Sequence, residues 1–279
     1  MLPSDSNSPP PYSPQCTDLR STLRDAGIVD DTDFCVSKEF CGSSLHTAIK
    51  KGAFEFGVGI SRVWLDLGAD WTTFTSRCHW PQLTWPHGQT CKEFIDSTDV
   101  ASIAIDANKE YSPKLDALPR VIPVSTAVGL RNSVAKFNHF KGPGCSSMNE
   151  PNLDATQSLG ANAVPCTQID HTEIIPVIRL DFVLDLIPSH INIEFVKVDI
   201  QGMDLQAVQS MGENLHRVRK VYIEAQDEGF EPLTDGQYSK NQVMKWFKDQ
   251  GFIYNQAQSA LENPDVGEWN LMFDNPKWN

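Results

Sequence analysis

Asp106, Asp199 and Glu224 each lie at or near the end of a short apolar run of the sequence. The runs are VASIAID, EFVKVDI and KVYIEA. Such runs are typical of strands buried in a parallel sheet, and α/β proteins bind ligands at the edge where the carboxyl ends of those strands meet. Carboxylates gathered there can accept hydrogen bonds from hydroxyl groups, take up a proton or hold a hard cation.

The residues that follow an earlier run, RVWLDL, predict a ligand-binding turn. Asp66 stands in that run, and Gly68, Ala69 and Asp70 come directly after it. A glycine lets the backbone approach a ligand closely, and a helix that starts after the turn presents free N–H groups to the ligand. The alternative is an ordinary strand–turn connection with glycine at positive φ.

Asp106 ends the next predicted strand. A carboxylate in this place typically accepts hydrogen bonds from the ribose hydroxyls of a nucleoside cofactor, so we expect Asp106 and the loop Ala107-Asn108 to bind one. Nicotinamide dehydrogenases and methyltransferases share this arrangement. The alternative is a strand end that caps its own loop.

The predicted strand before Asp199 also contains a lysine. Lys197 and Asp199 are two residues apart, so both point to the same face of the strand. A charged pair inside a buried strand is costly unless it is partnered. Its position near the end of the strand puts Asp199 where a site is expected.

The runs alternate with helical patterns, which predicts a doubly wound, mostly parallel sheet of the α/β class with right-handed crossovers. Helices are expected over Met203 to Leu215 and Asn241 to Gln250, and a closing antiparallel pair over Phe252-Ile253 and Asn270 to Phe273. The predicted strands are Arg62 to Leu67, Val100 to Asp106, Val121 to Val124, Glu194 to Ile200 and Lys220 to Ala225.

The chain is expected to divide into an arm, a helical extension and one sheet domain. Residues 1–16 are rich in Ser and Pro and predict a disordered arm. Residues 17–60 predict the extension, with helices from Thr17 to Gly27 and over Leu45 to Lys51. Residues 61–279 predict the sheet domain, in which residues 129–169 lack periodicity and indicate an irregular substrate-side insertion or lid.

Charge and hydropathy narrow the class of partner. The chain has 279 residues and a formal net charge of -13, which argues against nucleic acids and anionic membrane surfaces as main partners. No apolar run is long enough to span a membrane, and the first residues lack the apolar stretch of a signal peptide. We therefore expect a soluble protein, and the sequence indicates no particular oligomeric state.

The seven cysteines leave the compartment undecided between the cytoplasm and the lumen of the secretory pathway. Cys35 with Cys41, and Cys78 with Cys91, could close short loops as disulfides. The stretch from Cys78 to Cys91 also contains His79 and His87, but its spacing matches no strong zinc pattern.

These stretches together resemble the FkbM-type methyltransferases, a class I branch of the S-adenosylmethionine-dependent enzymes with a Rossmann-like sheet. The resemblance covers roughly residues 60–275 and is most specific in FVKVDIQGMDLQAV. The other similar stretches are VWLDLGADWTTF, IAIDANKEYSPKL, VIPVSTAVG, GCSSM, VIRLDFVLDLI, VYIEA and WNLMF.

The resemblance implies an O-methyltransferase that uses S-adenosylmethionine and acts on a hydroxyl of a sugar, a glycan or a glycosylated small molecule. It also implies that Ala127, Ser147 and Asp181 belong to the cofactor site. The open alternatives are a nicotinamide-dependent oxidoreductase, although a full Gly-x-Gly-x-x-Gly is absent, and a catalytically silent cofactor-binding relative.

Methyl transfer to a sugar hydroxyl needs a proton acceptor, because such a hydroxyl is a weak acid. Asp199 is the first candidate for this base, and Glu224 and His139 come next. Asp199 with Glu224 could also hold a divalent cation.

Four residues depart from the family pattern. Thr72 stands where a second glycine is usual, and Asp106 and Asp204 stand where Glu is more usual. Gln201 also replaces a Glu and so removes a charge that could have touched the cofactor or a metal ion.

Overall fold

The computed structural model describes residues 43–70, 96–142, 144–155 and 164–278. The predicted arm, the helix expected from Thr17 to Gly27, Thr72 and the stretch from Cys78 to Cys91 lie outside these residues. Helix α1 (Ser43–Lys51) agrees with the helix expected over Leu45 to Lys51.

The strands follow the predicted runs closely. In chain order they are β1 (Arg62–Leu67), β2 (Val100–Asp106), β3 (Val121–Ser125), β4 (Ala127–Val128), β5 (Ser133–Phe140), β6 (Ile169–Ile178), β7 (Asn192–Val198), β8 (Val218–Gln226), β9 (Ile253–Tyr254), β10 (Ala260–Asn263) and β11 (Glu268–Asp274).

Within the described residues, the main sheet has the order β10-β11-β8-β7-β1-β2-β3, and β9 pairs with β11. Strands β3, β2, β1, β7 and β8 are parallel, whereas β11 is antiparallel to β8, β9 and β10. The doubly wound, mostly parallel sheet expected from the sequence is confirmed, and so is its closing antiparallel pair.

Strand β1 lies at the switch point of the sheet, between β2 and β7. Its residues alternate between two buried faces: Val63, Leu65 and Leu67 are almost fully buried on one face, and Trp64 and Asp66 are equally buried on the other. A strand covered on both faces is mostly apolar, which explains the run in the sequence. The buried Asp66 is the exception, and the Lys197 ammonium group lies 3.7 Å from its carboxylate. The carboxyl ends of β1, β2 and β7 meet beside this point, where α/β sheets bind ligands.

Short helices follow several strands. They are α2 (Ser112–Asp116), α3 (Val164–Thr167), α4 (Leu180–Asp185), α5 (Asp204–Gln209) and α6 (Lys240–Asp249), with 3-10 turns at Gly212–Arg217 and Gln256–Gln258. The helix expected over Met203 to Leu215 is therefore shorter than predicted, because Gly212 takes a φ of 54° and ends the helical path. No helix among these residues is long and apolar enough to cross a membrane.

A second sheet accounts for part of the segment that the sequence predicts to be irregular. It has the order β4-β6-β5, with β5 antiparallel to β6. Phe137, Ile175 and Val177 form a small buried cluster with Ala127 on this sheet. The described part of residues 129–169 is thus more regular than predicted, and the role of a lid stays a prediction.

The large hydrophobic core lies between the main sheet and helices α4, α5 and α6. Val183, Val208 and Phe247 are three of its fully buried helical residues. Phe247 stacks on Phe273 of β11 with ring centroids 4.0 Å apart. This packing fixes β8 and β11, which carry Glu224 and Glu268, and β7, which is followed directly by Asp199.

Candidate functional site

A cavity of about 320 Å³ lies at the carboxyl ends of the parallel strands. Its lining includes Gly68 and Asp70 after β1, Asp106 at the end of β2, and Asp199 after β7. The sequence predicts these four residues at one site, and the structure brings them to one cavity. A cavity of this size is within the usual range for small-molecule sites.

Gly68 brings the β1 turn into contact with the end of β7. Its φ is 74°, and a Cβ atom at this position would overlap the backbone oxygen of Asp199. The Gly68 N–H donates to the backbone oxygen of Ile105 at 2.9 Å. Any residue larger than glycine would therefore push the ends of β1 and β7 apart.

Asp106 forms the β2 side of the cavity with Ala107 and Asn108. Its Oδ1 accepts the Asn108 backbone N–H at 2.7 Å. Burial raises the pKa of Asp106 to about 7, although this hydrogen bond opposes the rise. The carboxyl group thus has both the position and the acceptor atoms that a ribose needs.

Lys197 connects the end of β1 with the end of β7. Its ammonium group is fully buried and lies 3.0 Å from Asp199 Oδ2 and 3.7 Å from Asp66 Oδ1. Burial opposes the charge on Lys197, but the two carboxylates outweigh it and raise the pKa of the ammonium group. The lysine therefore stays charged and has the partners that the sequence analysis required.

Asp199 remains ionised although it is largely enclosed. Burial would raise the pKa of its carboxyl group, but the Lys197 charge and hydrogen bonds to the carboxylate lower it overall. About a quarter of the Asp199 side chain is exposed, and it faces the cavity. The group can accept hydrogen bonds from a bound molecule.

Gln201 forms a bridge that the sequence analysis missed. Its Nε2 donates to Asp199 Oδ1 and to Glu224 Oε2, both at 2.9 Å. Glu224 is buried, and its pKa is raised well above the usual value by burial and by the charges of Glu268 and Asp199. Glu224 reaches the site through Gln201, since it does not itself line the cavity.

The hairpin of β10 and β11 closes the other end of the cavity. Glu262, Asn263, Val266 and Glu268 line it there. Burial, with the charges of Asp199 and Glu262, raises the pKa of Glu268 to about 8. These residues have no signal in the sequence, because the hairpin is far from the motifs along the chain and its acids follow no recognisable spacing.

Several predicted residues lie away from the cavity. Asp181 binds the Arg179 guanidinium, with Nε–Oδ2 at 2.9 Å, and Ala69 is buried against Ala104, Leu115 and Val121. Ser147 donates to the Gln201 backbone oxygen at 2.6 Å, so it supports the loop after β7 from behind. Of the three residues that only the resemblance implies, Ala127 alone lines the cavity.

His139 belongs to a separate cluster on the small sheet. Its Nε2 lies 2.9 Å from Glu173 Oε1, and its ring stacks on His171 with centroids 4.1 Å apart. His139 does not line the cavity. Of the three candidate bases, Asp199 alone lines the cavity.

Cys145 and Cys166 form a disulfide in the wall of the cavity, with Cα atoms 5.2 Å apart. Both cysteines line the cavity beside Gly144 and Ser146. The bond joins the loop after β5 to α3 across the segment expected to act as a lid. The pairs suggested by the sequence, Cys35–Cys41 and Cys78–Cys91, lie outside the described residues.

The described residues contain no group of three or more His, Cys, Asp or Glu side chains that could hold a metal ion. Asp199 and Glu224, predicted as possible ligands, have the Gln201 amide nitrogen between them. An N–H donor repels a cation, and Lys197 adds a positive charge beside Asp199. The donor set as arranged does not fit a divalent ion.

Comparison of the sequence with models of known protein families identifies the family of this chain. The model of the methyltransferase FkbM domain matches residues 87–254, which is more than half of the chain. The match includes β2, β7 and β8 with Asp106, Asp199 and Glu224. It begins after the Gly68 turn and ends before the β10–β11 hairpin.

The other comparisons add little. No curated protein matches the chain. A crystal structure of a Burkholderia thailandensis 1,6-didemethyltoxoflavin N1-methyltransferase, with bound 1,6-didemethyltoxoflavin and S-adenosylhomocysteine, is similar over 98% of this chain and 92% of that chain. The identity is 12% and the TM-score 0.32, and a similarity this weak says nothing about the acceptor.

Proposed function

The chain belongs to the FkbM family of S-adenosylmethionine-dependent methyltransferases, and from this we propose that it methylates a hydroxyl group of a sugar, a glycan or a glycosylated small molecule. The proposal rests on the observation that Asp106 and Asp199 line the same cavity. The Asp106 carboxyl group suits the binding of a nucleoside, and the Asp199 carboxylate suits the role of proton acceptor. The family also decides between methyl transfer and the nicotinamide-dependent alternative.

The cofactor end of the cavity is formed by the turns after β1, β2 and β3. Gly68 allows close backbone approach, and Asp106 offers carboxylate oxygens to ribose hydroxyls. Asp70, Asn108 and Ala127 complete this end. These residues would hold S-adenosylmethionine, which supplies a methyl group activated by the positive charge on its sulfur.

Asp199 is the residue proposed to accept the proton of the acceptor hydroxyl. As the hydroxyl oxygen forms its bond to the methyl carbon, the carbon–sulfur bond breaks and the proton passes to the Asp199 carboxylate. The carboxylate is ionised at neutral pH because Lys197 lowers its pKa. A base with a low pKa acts best late in the reaction, when positive charge has built up on the acceptor oxygen.

The far end of the cavity suits a neutral, hydroxyl-rich acceptor. Asn263, Gln201 and Glu268 supply both donors and acceptors of hydrogen bonds there. The pKa of about 8 keeps Glu268 mostly protonated at neutral pH, so it can donate as well as accept. A sugar offers several hydroxyl groups at matching spacings, which is why we favour a glycan or a glycosylated molecule over an anionic acceptor.

Asp199→Asn tests the proposed base. We expect methyl transfer to fall by about 100-fold or more, since proton transfer by a positioned base contributes that much. The S-adenosylhomocysteine dissociation constant should change by less than about twofold, because Asn keeps the shape and one acceptor oxygen. Product S-adenosylhomocysteine is measured over a panel of glycosides, and binding by titration calorimetry.

Asp249→Asn is the matched control, because Asp249 is exposed on α6 and pairs with Lys245 across one helical turn. Such surface pairs contribute little, so this variant should retain full activity. Full activity of Asp199→Asn would remove Asp199 as the base. Binding of NADH without binding of S-adenosylhomocysteine by the wild-type protein would overturn the proposed function itself.

A further inference from the structure

Two carboxyl groups meet at the end of β7 and β8 and need a bridging partner. Asp199 and Glu224 both contact the same nitrogen atom, Gln201 Nε2, at 2.9 Å. Carboxylates this close repel each other unless a proton, a cation or a hydrogen-bond donor lies between them. In this chain burial helps to raise the pKa of Glu224 well above its usual value, and its carboxyl group shares a hydrogen bond with Asp199. The Gln201 amide, which carries two N–H groups and no charge, donates to both carboxyl groups.

The backbone of Gln201 is held in an unusual conformation that directs the amide to this place. Its φ is 57°, in the left-handed region that residues other than glycine rarely adopt. The Gln201 carbonyl accepts the Ser147 hydroxyl at 2.6 Å, and Gly202, with a φ of 98°, follows it. Strain that neighbouring groups hold in place is typical of functional sites.

Asp204 fixes the same loop from its other side. Its two carboxylate oxygens accept the backbone N–H groups of Ile200 at 2.8 Å and Gly202 at 2.9 Å. The Asp199–Ile200 and Gln201–Gly202 peptide groups, on the two sides of Gln201, are therefore both anchored. The position of the Gln201 amide follows from this scaffold and does not depend on a bound ligand.

We propose that Gln201 is a positioning residue, whose amide takes the place that a divalent cation would occupy between Asp199 and Glu224. This inference rests on the proposed function, in which Asp199 accepts the acceptor proton. The amide holds Asp199 at a fixed point of the cavity and connects it to Glu224, so that catalysis needs no divalent ion. Gln201 thus positions Asp199 from a place where the family pattern usually has Glu.

The charges around the pair agree with a neutral bridge. Lys197 already supplies one positive charge on the far side of Asp199, at 3.0 Å. A cation at the Gln201 position would add a second positive charge next to it. Among the described residues, the other titratable groups that interact with the pair or with Lys197 are Asp66, Asp70, Asp106, Asp204, Tyr222 and Glu268.

Two substitutions test the proposal. Gln201→Met keeps the length of the side chain and removes both N–H donors, so we expect kcat to fall by about 10-fold to 100-fold while KM for S-adenosylmethionine changes by less than about twofold. Gln201→Glu adds a third carboxylate, and we expect it to create a site for Mn²⁺, a hard cation that carboxylates bind. Mn²⁺ binding is followed by electron paramagnetic resonance, and kcat is measured with EDTA and with added Mn²⁺.

The matched control is Gln242→Glu, which makes the same change of charge on the exposed side of α6. Gln242 is the third residue of a capping box with Ser239, and Glu serves there as well. We expect Gln242→Glu to bind no Mn²⁺ and to keep wild-type kinetics. The wild-type enzyme should be indifferent to EDTA, and Mn²⁺ should restore part of the activity that Gln201→Glu loses.

Three results would overturn the inference: a Gln201→Met enzyme with wild-type kcat, a Gln201→Glu protein that binds no Mn²⁺, or a wild-type protein whose Mn²⁺ binding is lost in Asp199→Asn. The resonance measurement needs no turnover. It therefore tests the role of Gln201 even if the wild-type protein methylates no glycoside of the panel, a result that would count against the proposed acceptor alone.

Discussion

Asp106 at the end of β2 and Asp199 directly after β7 lie at the same edge of the main sheet, yet their carboxyl groups differ in charge state. Burial raises the pKa of Asp106 to about 7, whereas Lys197 lowers the pKa of Asp199 below its usual value. Residues whose surroundings push their pKa values apart often have different roles. We assign binding of a neutral ribose to the first and acceptance of a proton to the second.

The raised pKa of Asp106 predicts that cofactor binding depends on pH. Ribose hydroxyls donate best to an ionised carboxylate, so affinity for S-adenosylhomocysteine should increase as the pH rises from 6 to 8 through the pKa of about 7. Below that pKa the affinity should fall by up to about tenfold per pH unit. Calorimetry in buffers of different ionisation enthalpy should detect proton release on binding.

Asp106→Asn should weaken binding by about 10-fold to 100-fold, since hydrogen bonds to a charged group are lost, and should make the affinity independent of pH in this range. Asp116→Asn, an identical change at the exposed end of α2, is the control and should bind as the wild type does. A pH dependence that persists in Asp106→Asn would assign the proton to another group.

The acids of the site could be predicted residue by residue, but their partners could not. An acid at the end of an apolar run is visible in the sequence, as for Asp106 and Asp199. The Gln201 amide and the Glu268 carboxyl are placed by a left-handed turn and by a hairpin that returns from the far end of the chain. Neither feature has a local signal, so Gln201 was interpreted only as the loss of a charge.

At the scale of elements, the strands of the main sheet were predictable because both of its faces are buried. Continuous apolar runs such as Arg62–Leu67 and Val100–Asp106 match the strands β1 and β2 residue for residue. The small sheet lacks that signal. Strand β6 begins with the polar stretch IDHTE, exposes Ile174 and contains Pro176, which interrupts any regular pattern.

The turn between β1 and the cavity gives a prediction about Gly68. Gly68→Ala would place a methyl group against the Asp199 backbone oxygen at a φ of 74°, so the ends of β1 and β7 would have to separate. We expect a loss of about 2–4 kcal/mol in the free energy of unfolding, the usual range for overpacking combined with backbone strain. Urea denaturation measures this loss, and calorimetry should show weaker binding of S-adenosylhomocysteine.

Gly57→Ala is the control for this change. Gly57 does not have a positive φ, and a Cβ atom there would have no neighbour within 4 Å. Its stability should stay within about 0.5 kcal/mol of the wild type, as for most surface changes. A Gly68→Ala protein as stable as Gly57→Ala would show that the two strand ends are not in close contact.

At the scale of the whole molecule, several carboxyl groups at or near the cavity bind protons more tightly than usual. The formal net charge is -13, and the carboxyl groups of Asp106, Asp204 and Glu268 have pKa values raised to about 7, 6 and 8, in each case chiefly by burial. These groups bind protons in the folded state at a pH where the unfolded chain has released them. Folding and the pH of the solution are therefore linked through the site.

The direction of these pKa shifts predicts how the free energy of unfolding changes with pH. Between about pH 4 and pH 8 the folded state holds more protons at these carboxyl groups than the unfolded state, so the free energy of unfolding falls as the pH rises. Asp99 acts in the opposite sense, because its hydrogen bond from Arg62 lowers its pKa to about 2. Its contribution to the free energy of unfolding is lost only in acid, as the pH falls from 4 towards 2. The protein without cofactor should thus be more stable at pH 5.5 than at pH 8.5, by up to about 1 kcal/mol per pH unit for each raised group.

Glu268→Gln removes one of these groups and should flatten the decline most clearly between pH 6 and pH 8, below its pKa of about 8. Glu213→Gln, at an exposed position of the 3-10 turn, should leave the slope unchanged. Urea denaturation at several pH values measures both slopes. A free energy of unfolding that rises from pH 5.5 to pH 8.5 would contradict this prediction. It would mean that the carboxyl groups around the cavity are ionised in the folded protein. The acceptor end of the cavity would then be negatively charged, where we propose protonated hydrogen-bond donors.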